Sequence, residues 1–277
     1  MSHLLAPTLK LSNGVEIPQL GLGTWPMNDA ESAPVVAAAL EMGYRHIDTA
    51  ENYQNETGVG QGVRASGVPR EQVFVTTKFN RQWHSIAGVQ QACEASLRRL
   101  GLDYIDLLLV HWPNPEQGRY VEAFEGLLQV QARGLVRAVG TSNFKPAHLA
   151  QLFERGLCPQ VNQIQLDPYH ARPDLVDIHQ AKGIVTETWG PVGRGSQMLA
   201  DPAICAVAER VGRTPAQVVL RWHTQQGFLP IPKSSNPQRL AENLACFDFE
   251  LSDAEIRRLA ALSRPDPNAP DADVFGH

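Results

Sequence analysis

Four residues of types that can move a proton are Asp48, Tyr53, Lys78 and His111. Asp48 and Tyr53 belong to HIDTAENY, residues 46–53, where the carboxylate ends an apolar, strand-like run. A carboxylate on such a strand needs a partner or a chemical role, because burying an unpaired charge is costly. For any one of these residues alone, a satisfied structural polar group is the ordinary interpretation. An acid, a phenol, a cation and an imidazole together are the components of a proton-transfer site.

The charges of these side chains suggest their roles. A buried Lys78 requires a counter-ion, and Asp48 is the candidate. Lys78 beside Tyr53 would stabilise the tyrosinate, so we expect the pKa of the phenol to fall below its reference value of about 10. Tyr53 would then donate a proton to a developing alkoxide, while His111 orients a carbonyl oxygen or assists the transfer. Such a site has no nucleophile–base pair and no metal cluster, so another group must deliver electrons.

Strand-like and helix-like segments alternate along the chain and would position these side chains. The strand-like runs span residues 44–50, 72–78, 104–112, 136–142, 160–166, 183–190 and 228–234, and we expect a last strand within 246–251. The helical runs span residues 29–42, 56–66, 87–101, 120–134, 214–227 and 252–262. Residues 8–18 form alternating runs on either side of Asn13-Gly14, a dipeptide that suits a type I′ turn, and predict a short hairpin.

The strand-like runs are apolar throughout, as in a parallel sheet that is covered on both faces. About eight strand–helix units without a linker favour a (β/α)8 TIM barrel with an N-terminal β-hairpin, one α/β domain over residues 1–277. An open doubly wound sheet with a second domain is the alternative. Barrel active sites lie at the C-terminal ends of the strands. The polar or aromatic residues within or at the ends of these runs are Asp48, Lys78, His111, Ser142, Asn143, Asn162, Gln163, Trp189, Lys233 and Ser234.

The composition indicates a globular protein. Of the 277 residues, 43% are hydrophobic and 19% charged, which is enough for a large core. A net charge of -5 gives no electrostatic footprint for nucleic acid. Four dispersed cysteines without a CxxC pair predict reduced thiols in a cytoplasmic protein. No run approaches the length of a membrane span. We expect a monomer without a metal.

Several motifs together identify a family. They are GLGTW (21–25), GYRHIDTAENYQNE (43–56), TTK (76–78), LLLVHWP (107–113), VGTSNF (139–144), VNQIQL (161–166) and IPKSSNPQRLAEN (231–243). Over essentially its whole length the chain resembles the aldo-keto reductases, barrel enzymes that use NADPH. ETWGPVGRG (187–195) is most similar to the prokaryotic branch that includes 2,5-diketo-D-gluconate reductases. The resemblance implies reduction of an aldehyde or ketone by hydride from NADPH. It also implies a catalytic tetrad of Asp48, Tyr53, Lys78 and His111, with Tyr53 as general acid.

The resemblance further implies a cofactor site across the barrel mouth. Ser142, Asn143 and Gln163 would hold the nicotinamide carboxamide, and Trp189 would stack on the ring. The implied cofactor-binding residues are Gly23, Thr24, Asp48, Ser142, Asn143, Gln163, Trp189, Gly190, Pro191, Val192, Gly193, Gly195, Lys233, Ser234, Ser235, Arg239, Glu242 and Asn243. Lys233, Ser234 and Arg239 suit a 2′-phosphate and adjoin a helix start at Asn236-Pro237, so we predict NADPH rather than NADH. The glycines of GVGQG (58–62) do not form a dinucleotide-binding motif.

The substrate pocket is less well defined by sequence. After TTK many family members continue with Leu-Trp, whereas this chain reads FNRQWHS (79–85). The predicted substrate-binding residues are Trp25, Tyr53, Phe79, Asn80, His111 and Trp112, of which the two tryptophans would form an aromatic wall. The tail, RPDPNAPDADVFGH (264–277), either folds over the pocket or is disordered.

Two other functions use similar residues. An NADPH-binding sensor on the same fold would not need Tyr53 as an acid. An aldolase or phosphosugar isomerase would use Lys78 as a Schiff-base nucleophile, but it would not need the nicotinamide-site residues.

Overall fold

The alternating segments form a ring of parallel strands surrounded by helices. The computed structural model describes residues 5–266 and 269–277. Its strands are β1 (Thr8–Lys10), β2 (Glu16–Pro18), β3 (Leu22–Gly23), β4 (His46–Asp48), β5 (Phe74–Phe79), β6 (Ile105–Val110), β7 (Val136–Ser142), β8 (Val161–Gln165), β9 (Val185–Trp189) and β10 (Leu229–Pro230). Its helices are α1 (Asp29–Met42), α2 (Glu56–Ala65), α3 (Ile86–Leu100), α4 (Tyr120–Ala132), α5 (Pro146–Glu154), α6 (Pro173–Lys182), α7 (Pro202–Val211), α8 (Pro215–Gln225), α9 (Pro237–Leu244) and α10 (Asp253–Ala260).

Strands β3 to β10 lie side by side in chain order, and each pairs in parallel with the next. The first and last strands also meet. Gly21 N donates to Pro230 O at 3.1 Å, and Gly23 N donates to Pro232 O at 3.2 Å. A Cβ on Gly23 would lie 2.9 Å from the carbonyl oxygen of Ile231, so this approach needs glycine. The predicted TIM barrel is therefore confirmed, and Gly23 closes it.

The barrel begins with a strand that the sequence did not predict. We expected a last strand within 246–251, but Ala245–Phe247 form a 3-10 turn there, so that prediction is wrong. The missing strand is β3, Leu22–Gly23, which precedes the strand that ends in Asp48. Two residues are too few to show a periodicity, and only pairing with β4 and with the residues after β10 makes this segment part of the sheet.

The hairpin forms as predicted, but its turn is of another type. β1 and β2 are antiparallel, with Leu9 opposite Ile17. Gly14 N donates to Leu11 O at 2.9 Å, and Gly14 has φ 88°. Asn13 is not among the residues with positive φ, which a type I′ turn requires at both central positions, so the type I′ prediction is wrong.

Side chains alternate between two apolar cores. Along β6, Leu107 and Leu109 point into the barrel, whereas Leu108 and Val110 pack in the outer core with the helices. Leu11 and Ile17 of the hairpin join the inner core. Because both faces of the strands are covered, a strand such as β6 has apolar residues on both sides. In the described part of the chain, no helix is long and apolar enough to cross a membrane.

Candidate active site

The four residues predicted to move a proton meet at the C-terminal end of the barrel. Asp48 ends β4, Lys78 lies near the end of β5, and His111 follows β6. Tyr53 ends a short 3-10 turn, Glu51–Tyr53, just after β4. Asp48 pairs with Thr76 across the ladder, two residues before Lys78, so register brings the acid and the amine together.

Lys78 and Asp48 form a buried ion pair. Lys78 Nζ donates to Asp48 Oδ1 at 2.7 Å and to Thr49 O at 2.9 Å. The side chains are 0% and 3% exposed. Burial raises the pKa of the Asp48 carboxyl, and the Lys78 charge limits the rise. Burial by itself would lower the pKa of Lys78, but the Asp48 charge and the neighbouring acids outweigh it, so the pKa is raised. Lys78 is therefore a cation, with Asp48 as the expected counter-ion.

Tyr53 lies beside this pair, with Lys78 Nζ 5.2 Å from the centre of its ring. Burial raises the pKa of the phenol above 10.0, and the Lys78 charge opposes that rise. The sequence-based prediction of a lowered pKa is thus wrong in its net direction, because the prediction considered the ammonium but not the burial. The phenol keeps its proton at neutral pH, as a general acid must.

His111 completes the group as a neutral imidazole. Its ring centre lies 5.9 Å from that of Tyr53, nearly edge-on at 74°. Burial, followed by the Lys78 charge, holds its pKa well below 6.5. Nδ1 is buried and has no hydrogen-bond partner among residues 5–266 and 269–277. The ring therefore retains hydrogen-bonding capacity beside Tyr53.

The residues predicted to hold a carboxamide form one network beside Asp48. Gln163 Nε2 donates to Asp48 Oδ2 at 2.8 Å, and Ser142 Oγ donates to Gln163 O at 3.1 Å. Asn143, at φ 64°, donates to Ser142 Oγ at 3.0 Å. Its amide oxygen accepts from Trp189 Nε1 at 2.8 Å. The structure thus brings these four residues together at the tetrad.

A loop of small residues follows Trp189. Gly190, Gly193 and Gly195 have φ of 64°, 80° and 79°, a backbone that side chains other than glycine rarely adopt. Pro191 O accepts from His223 Nε2 at 3.2 Å, which anchors the loop from α8. Val192 packs against the outer core.

Arg194, a residue that was not predicted, extends from this loop across two tryptophans. Its guanidinium carbon lies 5.1 Å from the Trp189 ring centre and 5.4 Å from that of Trp25. The indole of Trp25 is 52% exposed. Thr24 is fully buried, and its hydroxyl donates to Asp48 O at 2.9 Å. This hydrogen bond links the segment after β3 to the end of β4.

Basic residues surround the start of α9. Asn236 caps the helix by accepting from Arg239 N at 3.2 Å, with Pro237 at the first helical position as predicted. Lys233 and Arg239 are exposed, and neither forms an ion pair within the described residues. The neighbouring predicted residues are Ser234 (buried), Ser235 (exposed), Glu242 (half-buried) and Asn243 (buried).

The C-terminal tail covers the other side of the mouth. Phe275 packs edge to face on Trp112 with ring centres 4.8 Å apart, and the His277 ring lies 5.7 Å from that of His111. Arg81 N donates to His277 O at 2.6 Å. Of the two behaviours considered for the tail, residues 269–277 show folding over the pocket, while Pro267 and Asn268 lie outside the described residues.

The two weakest substrate predictions differ in outcome. Phe79 is completely buried in the outer core, because the alternation of β5 sends it away from the inward-pointing Lys78, so the structure does not place it with the tetrad. Asn80 lies at the mouth. Its Oδ1 is buried and unpartnered in the described structure, while its backbone N–H is bound by Glu51. Glu51 also accepts from Trp83 Nε1 at 2.9 Å, a contact that the sequence did not indicate.

No group of His, Cys, Asp and Glu in the described structure could hold a metal ion. Sequence reasoning also missed Glu187, a wholly buried carboxyl on β9. The sequence signal that could have found Glu187 is its position two residues before Trp189 on the same strand, because this spacing sends both side chains to the same face.

Comparisons with known proteins agree with this geometry. The profile of the Aldo/keto reductase family matches residues 19–264. An aldo-keto reductase of Mycolicibacterium smegmatis is 48% identical over 277 residues, with 98% of each chain covered. A methylglyoxal reductase, DkgA, of Yersinia pestis is 42% identical, again over 98% of each chain. A crystal structure of a Gox0644 variant in complex with NADPH superposes with a TM-score of 0.92 at 39% identity, with 98% of each chain covered. The chain belongs to the aldo/keto reductase family.

Proposed function

We propose that the protein reduces aldehydes and ketones to alcohols with NADPH, and that Tyr53 is the general acid. The observation that supports this best is the position of Lys78 Nζ, 2.7 Å from a carboxylate oxygen of Asp48 and 5.2 Å from the centre of the Tyr53 ring. A fixed cation beside a protonated phenol, next to a neutral imidazole, is an arrangement suited to protonating a developing alkoxide.

The residues present fit NADPH. Ser142, Asn143 and Gln163 offer the hydroxyl and amide groups that a carboxamide requires, and a carboxamide would exchange partners with that network. Trp189 donates to Asn143 Oδ1 at 2.8 Å and is thus held beside them, where it would stack on a planar ring. Lys233 and Arg239, as exposed cations without carboxylate partners in the described chain, suit a 2′-phosphate. A bound NADPH would supply the hydride.

The protein side chains would then act in a definite order. His111, as a neutral imidazole, would donate a hydrogen bond to the substrate carbonyl oxygen and orient it. Tyr53 would transfer its proton to that oxygen as negative charge develops there. Lys78 would stabilise the resulting tyrosinate, and Asp48 would hold Lys78 in place throughout.

The state of Lys78 argues against the aldolase interpretation. A Schiff-base lysine attacks as a neutral amine and needs a lowered pKa. Here the pKa of Lys78 is raised, and its ammonium donates to Asp48 and to Thr49 O. The amine is therefore held as a cation rather than as a nucleophile.

The pocket walls suit small carbonyl compounds with an apolar portion. Trp25, Trp112 and Phe275 present aromatic surface around the tetrad. A relative is named a methylglyoxal reductase, so methylglyoxal is a rational first substrate. All these side chains come from one chain, so the proposed site is complete in a monomer.

The test is Tyr53→Phe, which removes one oxygen and preserves the ring. Single-turnover hydride transfer to methylglyoxal and to an aromatic aldehyde would be followed by the loss of NADPH absorbance. We expect a fall of about 10²–10⁴-fold, the usual contribution of general acid catalysis, with NADPH affinity little changed. Tyr104→Phe, at a phenol that stacks on Arg70 away from the mouth, is the matched control. A Tyr53→Phe protein that reduces both aldehydes at the wild-type rate would refute the assignment.

A further inference from the structure

Glu187 is a carboxyl group buried inside the barrel below the tetrad. It lies in the middle of β9, paired with Leu229 of β10 and with Gln163 of β8. Its side chain is 0% exposed, and neither oxygen has a hydrogen-bond partner within the described residues. An ionised carboxylate in such a place is very costly, so the geometry alone favours the neutral acid.

The neighbouring charges lead to the same conclusion. Among the described residues, Lys78 is the one buried lysine, and Asp48 already accepts from it at 2.7 Å. His46 Nε2 lies 3.7 Å from Glu187 Oε1, but that nitrogen is engaged with Thr76 Oγ1 at 2.8 Å. Burial lowers the pKa of His46 to about 3, so it supplies no positive charge at neutral pH. Two carboxyls therefore share one cation, and one of them stays protonated.

Burial raises the pKa of Glu187 to about 8, and the Asp48 charge adds to the rise. Lys78 and the Gln163 amide act in the opposite direction. The titratable and polar groups that interact with Glu187 are His46 and Asp48 on β4, Tyr53 after β4, Lys78 on β5 and Gln163 on β8. Its partner on β10, Leu229, is apolar.

We propose that Glu187 is a positioning residue for the reduction: its neutral form keeps Lys78 paired with Asp48 alone, and loss of its proton weakens Tyr53 as an acid. The inference rests on the proposed function of Tyr53. A negative charge on Glu187 raises the pKa of both Tyr53 and Lys78. The phenol then gives up its proton less readily, and Lys78 is shared between two carboxylates. Reduction should decline as the pH rises through the pKa of Glu187.

The first experiment compares pH profiles of single-turnover reduction for wild type and Glu187→Gln, with saturating NADPH. Wild type should lose activity with a midpoint near 8, the pKa of Glu187, and should level off at a lower rate at higher pH, because the ionised Glu187 weakens Tyr53 as an acid without removing it. Glutamine is a neutral isostere that does not titrate. In Glu187→Gln the decline near 8 should be absent, and any remaining decline should move up by at least about one pH unit.

Glu94→Gln makes the same chemical change on the outside of the barrel. Glu94 lies on α3 and is 39% exposed, paired with Arg133 at 3.4 Å. Its profile should coincide with that of wild type. Glu187→Leu provides a second non-titrating variant if the glutamine variant folds poorly, and it should also lack the decline near 8.

A second measurement does not depend on turnover. Infrared difference spectra of the cofactor-free protein, wild type minus Glu187→Gln, should show a protonated carboxyl band at neutral pH that disappears as the pH passes about 8. Two results would overturn the role of Glu187 while leaving Tyr53 as the acid. One is a missing band, and the other is a pH profile whose midpoint is the same in wild type, Glu187→Gln and Glu187→Leu. A wild type that reduces no carbonyl at any pH would overturn the proposed function first.

Discussion

Gln163 holds the carboxylate of Asp48, 115 residues earlier in the chain, through a hydrogen bond of 2.8 Å from Nε2 to Oδ2. Lys78 Nζ donates to the other carboxylate oxygen, Oδ1, at 2.7 Å. The residue expected to bind the nicotinamide carboxamide is therefore also part of the support for the ion pair. Gln163 should therefore contribute to the stability of the protein even before a cofactor binds.

Replacing Gln163 with leucine should destabilise the cofactor-free protein. A hydrogen bond to a charged group contributes about 1.5–3 kcal/mol, so the free energy of unfolding in urea should fall by roughly that amount. Ser142→Ala removes a neutral bond of 3.1 Å to the Gln163 carbonyl and should cost about 1 kcal/mol. If Gln163→Leu unfolds like wild type but binds NADPH poorly, the side chain is reserved for the cofactor.

Removing the charge of Asp48 should destabilise the protein further. In Asp48→Asn, Lys78 loses the carboxylate to which it donates at 2.7 Å. Breaking a fully buried pair costs about 3–5 kcal/mol, and ionisation of the nearby Glu187 would offset part of that cost. The double variant Asp48→Asn/Lys78→Met removes both charges and should recover most of that stability in urea denaturation, without recovering carbonyl reduction. A double variant as unstable as the single variant would show that the charge imbalance is not the cause.

Much of the barrel and of the tetrad could be predicted from sequence, because each depends on local patterns. Short runs with apolar residues lead to Asp48 and to Lys78, and parallel strands place their C-terminal ends at one rim. α1 spans the predicted residues 29–42, and α9 begins at the expected Asn236-Pro237.

The remaining features depend on partners far away in the chain. β3 has two residues and exists only through pairing. The pKa of Tyr53 is set by the burial around it as well as by Lys78, and no local pattern reports that burial. The same holds for Glu187, whose significance comes from the lack of a hydrogen-bond partner in the described structure. The composition of the tail does not predict where it lies, because its position depends on the packing of Phe275 on the distant Trp112.

The preference for NADPH should depend on Arg239. Its exposed guanidinium at the start of α9 can form a charge-assisted bond to a 2′-phosphate, worth about 1.5–3 kcal/mol. Arg239→Ala should weaken NADPH binding by about tenfold or more and leave NADH binding nearly unchanged, measured by titration of protein fluorescence. Arg257→Ala, at an exposed position on α10, is the control. Equal losses for both cofactors would exclude a role at the 2′-phosphate.

Stability should fall in acid because of buried neutral histidines. His223 bridges Thr188 Oγ1 and Pro191 O, and burial lowers its pKa to about 3. The unfolded chain binds the proton near pH 6.5, so the native state loses stability as the pH falls from there towards about 3. Each pH unit in this window should cost about 1.4 kcal/mol per such histidine. His223→Gln should flatten the dependence in urea titrations between these values, and an unchanged slope would contradict the assignment.

Closure of the pocket by the tail should rely on aromatic packing more than on its ion pairs. Lys145 pairs with Asp271 and, at 2.6 Å, with Asp273, but these carboxylates are about half exposed and such pairs contribute about 0–1 kcal/mol. Phe275 instead packs on Trp112, beside the His277 ring that lies near His111.

Phe275→Ala should therefore open the substrate side, raise KM for the carbonyl compound several-fold and leave NADPH affinity unchanged. Lys145→Met should raise KM less. Steady-state kinetics would be combined with fluorine NMR of labelled tryptophan, with the Trp112 resonance assigned through Trp112→Phe. A Trp112 resonance that shifts more in Lys145→Met than in Phe275→Ala would show that the ion pairs hold the tail in place.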